Sequence, residues 1–126
     1  MLDDDPDTAD SIVASMKARH FDASGYQDPD ELLRALGSCR FDAFVVDWQL
    51  SHGTSAPLIQ ELRRRRETSQ APIYVLSGNL TIDGIPADVD LARAVQAYGV
   101  RYRCKPFSIR RLCQELDSDI DQRRAA

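Results

Sequence analysis

The sequence predicts an α/β fold in which helices cover both faces of a parallel sheet. Strand-like and helix-like segments alternate along the chain, which is the pattern of a doubly wound sheet. Two strand-like segments, 43–46 and 73–76, are unbroken apolar runs, as expected for strands that are buried on both faces. The 126 residues suit one hydrophobic core, so we expect a single domain over residues 1–126 without an output domain.

Five segments have the apolar periodicity of amphipathic helices. Two of them have start signals: Asp5 followed by Pro6, and a capping box at 28–31 that opens a helix ending near Gly37. The third helix is expected to begin at about Ser55. Gly99 ends the fourth helix, because glycine adopts the left-handed cap conformation at no steric cost. The apolar faces comprise Ala9, Ile12, Val13 and Met16 in the first helix, Leu58, Ile59 and Leu62 in the third, Leu91, Val95 and Tyr98 in the fourth, and Ile109, Leu112, Cys113, Leu116 and Ile120 in the last.

Four segments have the composition of strands, and the first strand of the sheet is nearly missing. The four lie near 21–26, where the pattern is weak, within 41–48, at 73–76 and at 100–104, and a loop is expected over 79–86. A fifth strand should precede Asp3, but only Met1 and Leu2 are available for it. We therefore predict a truncated first strand.

Composition and charge exclude several classes of function. The net charge of −4 and the spread of basic residues argue against nucleic-acid binding, and the four arginines at 63–66 are expected to be a solvated helix end. No apolar run reaches the length of a membrane span, and the acidic N-terminus is unlike a secretory signal. The three cysteines lack metal-ligand spacing and predict reduced, buried thiols in a cytoplasmic protein. His20 and His52 are expected on the surface. A glycine-rich phosphate loop is absent, which argues against nucleotide enzymes.

Polar residues follow the predicted strands at the carboxyl edge of the sheet, where open α/β sheets bind ligands. They are residues 3–5 after the first strand, Asp47, Ser77 and Lys105. Clustered carboxylates repel one another unless a hard cation such as Mg²⁺ lies between them. An aspartate can accept a phosphoryl group as a nucleophile, while an ammonium and a hydroxyl bind the oxygens of the transferred group. The set therefore predicts a phosphoryl-transfer site.

On these residues the chain resembles the receiver domain of bacterial response regulators over essentially its whole length. The resemblance implies a flavodoxin-like fold with strand order 2-1-3-4-5. It also implies that Asp47 accepts the phosphoryl group with Lys105 and Ser77 as its catalytic partners. The implied ligands of Mg²⁺ are Asp3, Asp4, Asp47 and the backbone carbonyl of Gln49. The implied phosphate ligands are Ser77, Gly78 and Lys105, and the implied switch residues are Ser77 and Tyr102. The resemblance also implies that the Lys105–Pro106 bond is cis.

The same resemblance implies partners rather than a classical enzymatic activity. A histidine kinase or histidine phosphotransfer protein would donate the phosphoryl group, and the domain is expected at most to phosphorylate itself and to dephosphorylate itself slowly. The face made by the fourth helix, the last strand and the fifth helix would then change its affinity for a downstream effector protein or a fused output domain. A homodimer is a further possible partner state, and neither nucleic acid nor membrane is expected to bind directly.

The chain also departs from the family pattern. Thr81 to Asp88 resembles an insertion, Ser51 stands where the family commonly has proline, and Ser55 replaces a frequent glycine. Together with the short first strand, the insertion keeps open a pseudo-receiver that binds partners without phosphorylation. A Mg²⁺-dependent phosphohydrolase is the other alternative, but it would need an apolar strand before Asp3 and room for a substrate cap.

Overall fold

The computed structural model describes residues 1–78, 81–82, 85–86 and 88–125. Five helices pack on a parallel sheet, as predicted. The helices are α1 (Pro6–Lys17), α2 (Pro29–Ala35), α3 (Ala56–Arg64), α4 (Val89–Tyr98) and α5 (Ile109–Ala125). The strands are β1 (Phe44–Asp47), β2 (Gln49–Leu50), β3 (Gly53–Thr54), β4 (Ile73–Ser77), β5 (Thr81–Ile82), β6 (Ile85–Pro86) and β7 (Arg101–Cys104).

Aspartate side chains begin three of the helices. Asp5, Asp28 and Asp88 each accept a hydrogen bond from the backbone N–H two residues ahead, which satisfies one of the free donors of the first turn. Gly99 ends α4 at a φ of 63°, in the left-handed region that glycine tolerates. The helix starts at Asp5 and Asp28 and the helix end at Gly99 are as predicted, because capping depends on neighbouring residues.

The central sheet has the predicted order, with a first strand reduced to one bridged residue. β1 pairs in parallel with β4, and β4 pairs in parallel with β7. Leu2 forms parallel bridges to Tyr26 on one side and to Val46 on the other. The spatial order is therefore Tyr26, Leu2, β1, β4 and β7, which corresponds to 2-1-3-4-5. Leu2 is completely buried, so this single residue fills the centre of the sheet where a longer apolar strand was expected.

Two apolar clusters cover the two faces of the sheet. One cluster joins α2, α3 and α4 to the sheet and contains Leu32, Val46, Ile59, Leu62, Val75 and Leu91. The other joins α1 and α5 to the opposite face and contains Ile12, Met16, Val45, Tyr74, Leu112 and Leu116. Successive residues of β1 and β4 alternate between the clusters up to the last residue of each strand, as the period of a strand requires. Both strands are therefore apolar until they end in Asp47 and Ser77.

Three predictions about local structure were wrong. The segment 21–26 forms no strand, and only Tyr26 pairs with the sheet, because its weak alternation offers few apolar side chains to a buried face. The loop expected over 79–86 includes a short antiparallel pairing of β5 with β6, and residues 79, 80, 83 and 84 of it lie outside the described residues. Two of the three thiols expected to be buried, those of Cys39 and Cys104, are exposed.

The arginine run is not simply a solvated helix end. Arg64 and Arg66 are exposed, but Arg63 is half-buried and donates from Nε and Nη1 to the carbonyl oxygens of Tyr98, Thr68, Ser69 and Ala71 at 2.7 to 3.3 Å. Arg63 thereby satisfies the free carbonyl at the end of α4 and ties it to the loop after α3. None of the described helices is both long and apolar enough to cross a membrane.

Candidate functional site

Three aspartates meet at the carboxyl edge of the sheet. One oxygen from each of Asp3, Asp4 and Asp47 lies within 4.8 Å of the others. Asp47 is the last residue of β1, and Asp3 follows the bridged Leu2, whose carbonyl oxygen accepts a hydrogen bond from the Asp47 N–H at 2.9 Å. This pairing sets the register of the two neighbouring strand ends. The single residue of the first strand is therefore enough to place the acidic pair beside the predicted acceptor.

Lys105 supplies the cation of the site. Its Nζ lies 3.0 Å from Asp47 Oδ1 and 3.9 Å from Asp3 Oδ2. The backbone N–H of Lys105 donates to the carbonyl oxygen of Ser77 at 2.8 Å, which continues the pairing of β7 with β4 beyond its last residue. The Lys105–Pro106 bond is cis, as the resemblance implied. The structure thus brings together the predicted acceptor and the predicted lysine, which are separated by 58 positions in the sequence.

The site carries more negative than positive charge. Asp3 and Asp47 are buried, Asp4 is partly exposed, and Lys105 is the one cation paired with them among the described residues. Burial raises the pKa of Asp47 above its ordinary value, and the hydrogen bond and charge of Lys105 oppose that rise. The remaining imbalance favours a further cation at the cluster.

The donor set fits a magnesium ion. Mg²⁺ takes oxygen ligands and uses one or two carboxylates together with water and phosphate oxygens. Asp3 Oδ2 is buried without a hydrogen-bond partner among the described residues, so one carboxylate oxygen of the cluster has no hydrogen-bond donor. A bound cation would satisfy this oxygen, which is otherwise costly to bury.

The remaining predicted site residues occupy the same edge. Ser77 ends β4, is 4% exposed and pairs with Cys104 of β7, while Gly78 follows it on the surface. Gln49 begins β2 directly beyond Trp48 and is exposed. Tyr102 lies opposite Val75 in the sheet and packs against the apolar cluster on the α4 side. Each of these residues therefore stands next to a strand end that faces the acidic cluster or on the strand leading to it.

Tyr102 has a second neighbour on its own strand. Burial and a hydrogen bond with the Cys104 thiol raise the pKa of Tyr102 to about 12, so the phenol is protonated at neutral pH. The two histidines lie outside the site: His20 and His52 are both exposed, as predicted.

The pair formed by Trp48 and Asp88 was not predicted from the sequence. Trp48 follows the predicted acceptor Asp47 and is completely buried, and its indole N–H donates to Asp88 Oδ2 at 3.1 Å. The other carboxylate oxygen of Asp88 accepts hydrogen bonds from the N–H groups of Asp90 and Leu91, and it thereby caps the start of α4. The Asp88 carboxylate therefore links Trp48, the residue after the predicted acceptor, to the start of α4 on the predicted output face. The N-cap role of Asp88 was recognisable from its position before an apolar helix, but its contact with Trp48 was not.

A flavodoxin-like sheet with three carboxylates and a lysine at its carboxyl edge defines a receiver-type signalling domain. The chain belongs to the response regulator receiver domain family, because the sequence profile of that family matches residues 1–117. It is therefore a receiver domain of two-component signalling. No curated protein matches the chain.

Solved structures of receiver domains share this fold. A sensor protein from Polaromonas sp. JS666 is 26% identical with a TM-score of 0.79, and the match covers 96% of this chain and 94% of that chain. The receiver domain of the Francisella response regulator 1452 is 22% identical with a TM-score of 0.77, over 96% and 93% of the two chains. A CheY-like receiver domain protein from Methanospirillum hungatei JF-1 is 16% identical with a TM-score of 0.82, over 98% and 93%. At the lower two identities the likeness shows the fold alone.

Proposed function

We propose that this receiver domain accepts a phosphoryl group on Asp47, with Mg²⁺ held at the acidic cluster. The observation that carries the proposal is the position of Asp47. It is buried among two other carboxylates and hydrogen-bonded to Lys105, at the sheet edge where its strand ends. A carboxylate that served only the fold would gain nothing from two like-charged neighbours, whereas a phosphoryl acceptor needs a cation and an ammonium close by.

The transfer uses the residues of the site in distinct roles. An oxygen of Asp47 attacks phosphorus and forms the P–O bond, while the P–N bond to the donor imidazole breaks and its electron pair returns to nitrogen. Mg²⁺ bound at Asp3, Asp4, Asp47 and the Gln49 carbonyl would neutralise charge on the transferred oxygens. Lys105 pairs with the developing phosphate, and Ser77 with Gly78 binds another of its oxygens.

Phosphorylation then changes the partner-binding face. Charge on Asp47 draws the Ser77 hydroxyl toward the phosphate, and Tyr102 on the neighbouring strand turns into the space behind it. The face of α4, β7 and α5 changes its affinity for an effector protein, a fused output domain or a second receiver. The size of this shift is limited by the difference in phosphate affinity between the two conformations. The donor is a histidine kinase or a histidine phosphotransfer protein.

The test is the intact mass of the protein after incubation with acetyl phosphate and Mg²⁺, with Asp47→Asn alongside. We expect one phosphoryl adduct that requires Mg²⁺, is released by hydroxylamine and is missing from the variant. Chelation of Mg²⁺ with EDTA should prevent the adduct in the unchanged protein. Full phosphorylation of Asp47→Asn would refute the assignment of the acceptor.

The absence of any adduct on folded protein would favour an interaction-only domain. The short first strand is the observation behind this alternative, since Leu2 is the single residue that bridges Tyr26 to β1 beside the acidic pair. Titration with Mg²⁺ distinguishes the two cases. Binding without an adduct points to an unsuitable donor, and a failure to bind points to a domain that does not use the site.

A further inference from the structure

Each carboxylate of the acidic cluster is held through one of its oxygens by a hydrogen-bond donor. Lys105 Nζ holds Asp47 Oδ1 at 3.0 Å, and the backbone N–H of Asp5 holds Asp3 Oδ1 at 3.0 Å. The donor for Asp4 is Ser51, whose Oγ lies 2.5 Å from Asp4 Oδ2. The first two donors belong to elements already assigned to the site, whereas Ser51 belongs to the segment after the acceptor.

The segment after the acceptor is folded in a way that brings Ser51 over the site. β2 and β3 pair antiparallel, with Leu50 opposite Gly53, so that Ser51 stands at the tip of a tight hairpin. Gly53 has a φ of 137°, which only glycine adopts at no cost. The base of the hairpin is closed by the Ser55 N–H, which donates to the carbonyl oxygen of Trp48 at 2.9 Å. The position of Ser51 is therefore set by a closed turn.

Asp4 is the member of the cluster that most needs a holding contact. Asp3 is buried and Asp47 is fixed at the end of β1, but Asp4 is partly exposed and lies beyond Leu2, the one residue of the first strand that pairs with the sheet. A carboxylate in this position can adopt several rotamers, and all but one of them are lost when a metal binds. The hydrogen bond from the Ser51 hydroxyl restricts these rotamers before any metal binds.

We propose that Ser51 is a positioning residue for the metal site: its hydroxyl orients Asp4 so that the carboxylate is arranged for Mg²⁺ before the ion arrives. The inference rests on the proposed function, since it assigns Ser51 to the same cluster. Its chemical basis is that hydrogen-bond partners of metal ligands fix the ligand's orientation and thereby raise metal affinity. The proline that the family commonly has at this position carries no side-chain hydrogen-bond donor, so only a residue such as Ser51 can hold Asp4 in this way.

The experiment is a calorimetric titration of the full chain with MgCl2 at constant ionic strength and without a phosphodonor. Ser51→Ala should raise the Kd for Mg²⁺ by about threefold to tenfold. This loss of affinity is at or below the smallest that is usual when a hydrogen-bond partner of a metal ligand is removed, because the bond from Ser51 is exposed. Ser51→Thr keeps the hydroxyl and should stay within about twofold of the original Kd. His52→Ala, on the same turn, is the matched control and should leave the Kd unchanged.

A double-mutant cycle separates positioning from a general effect on the hairpin. In an Asp4→Asn background Ser51→Ala should cause no further loss, because its effect passes through the Asp4 carboxylate. An unchanged Kd in Ser51→Ala, or an equal loss in both backgrounds, overturns the proposal. So does a failure of the unchanged protein to bind Mg²⁺. The mass measurement stays independent, because Mg²⁺ binding can depend on Ser51 whether or not an adduct forms on Asp47.

Discussion

Two clusters of charged side chains are attached to the central sheet, and they are built on opposite principles. The acidic cluster consists of Asp3, Asp4 and Asp47 with Lys105. The α5 network consists of Tyr74, Arg101 and Arg103 on the sheet with Glu115 and Asp119 on α5. The acidic cluster sets three carboxylates against one lysine, and the α5 network sets two carboxylates against two arginines.

The α5 network is fully paired. Arg103 makes two hydrogen bonds of 2.9 Å to Glu115, and Arg101 Nη1 lies 3.0 Å from Asp119 Oδ2 and donates to the Tyr74 hydroxyl at 3.2 Å. The Tyr74 hydroxyl also donates to Asp119. Both guanidinium groups lie over the ring of Tyr74, 5.7 and 5.5 Å from its centroid. The network fastens α5 to β4 and β7.

The comparison indicates that a network with balanced charges holds elements of the fold together, whereas a cluster with excess negative charge favours the binding of a cation. A saturated network stabilises the folded state, and removal of one member leaves a buried partner without its bond. An unbalanced cluster is less stable in isolation than a neutral one, and a cation that bound to it would stabilise the folded state. Substitutions of comparable size should therefore change stability with opposite signs in the two clusters.

The largest effect is expected from Asp119→Ala. It leaves the buried Tyr74 hydroxyl and Arg101 without their carboxylate, so the free energy of unfolding should fall by about 2 to 3 kcal/mol. Urea denaturation measures it, with Asp117→Ala on the exposed side of the same helix as the control. A loss below about 0.5 kcal/mol, the usual limit for surface substitutions, would show that solvent replaces the carboxylate at little cost.

A smaller effect of opposite sign is expected from Asp47→Asn in the absence of Mg²⁺. Loss of one buried negative charge beside Asp3 and Asp4 should raise the free energy of unfolding by about 1 kcal/mol, although the ion pair with Lys105 is lost. The measurement is the same denaturation in EDTA, with Asp10→Asn on the exposed face of α1 as the control. A decrease would mean that the attraction of Lys105 exceeds the repulsion within the cluster. Added Mg²⁺ should stabilise the unchanged protein more than the variant.

A third effect is confined to alkaline pH and lies in the α5 network. Burial and the bond to Asp119 raise the pKa of Tyr74 from 10.0 to about 12. The folded state therefore holds this proton when the unfolded state has lost it. The stabilising contribution is complete below pH 10 and is lost as the pH rises from 10 to about 12. Tyr74→Phe should weaken this pH dependence of unfolding, and an identical slope in both proteins would contradict the assigned pKa.

The sequence predicted most of the fold and the residues of the acidic cluster. Helix starts at Asp5 and Asp28, the strand end at Asp47 and the stop at Gly99 follow from capping and from apolar periodicity, which act between near neighbours. Even the truncated first strand was predicted, because a missing apolar run is visible in the chain. The weak segment at 21–26 was one exception, since its pairing depends on Leu2 from elsewhere in the chain.

What the sequence determined by itself is the order of the elements and the set of residues at the carboxyl edge, because both depend on local patterns. Tertiary structure alone decided the contacts of Ser51 with Asp4, Trp48 with Asp88 and Arg63 with Tyr98, which are 47, 40 and 35 positions apart. Each joins two side chains, or a side chain and a carbonyl, whose sequence neighbourhoods carry no information about the other. Packing of the sheet and helices brings them together, and a polar group that reaches a partner there escapes the cost of burial.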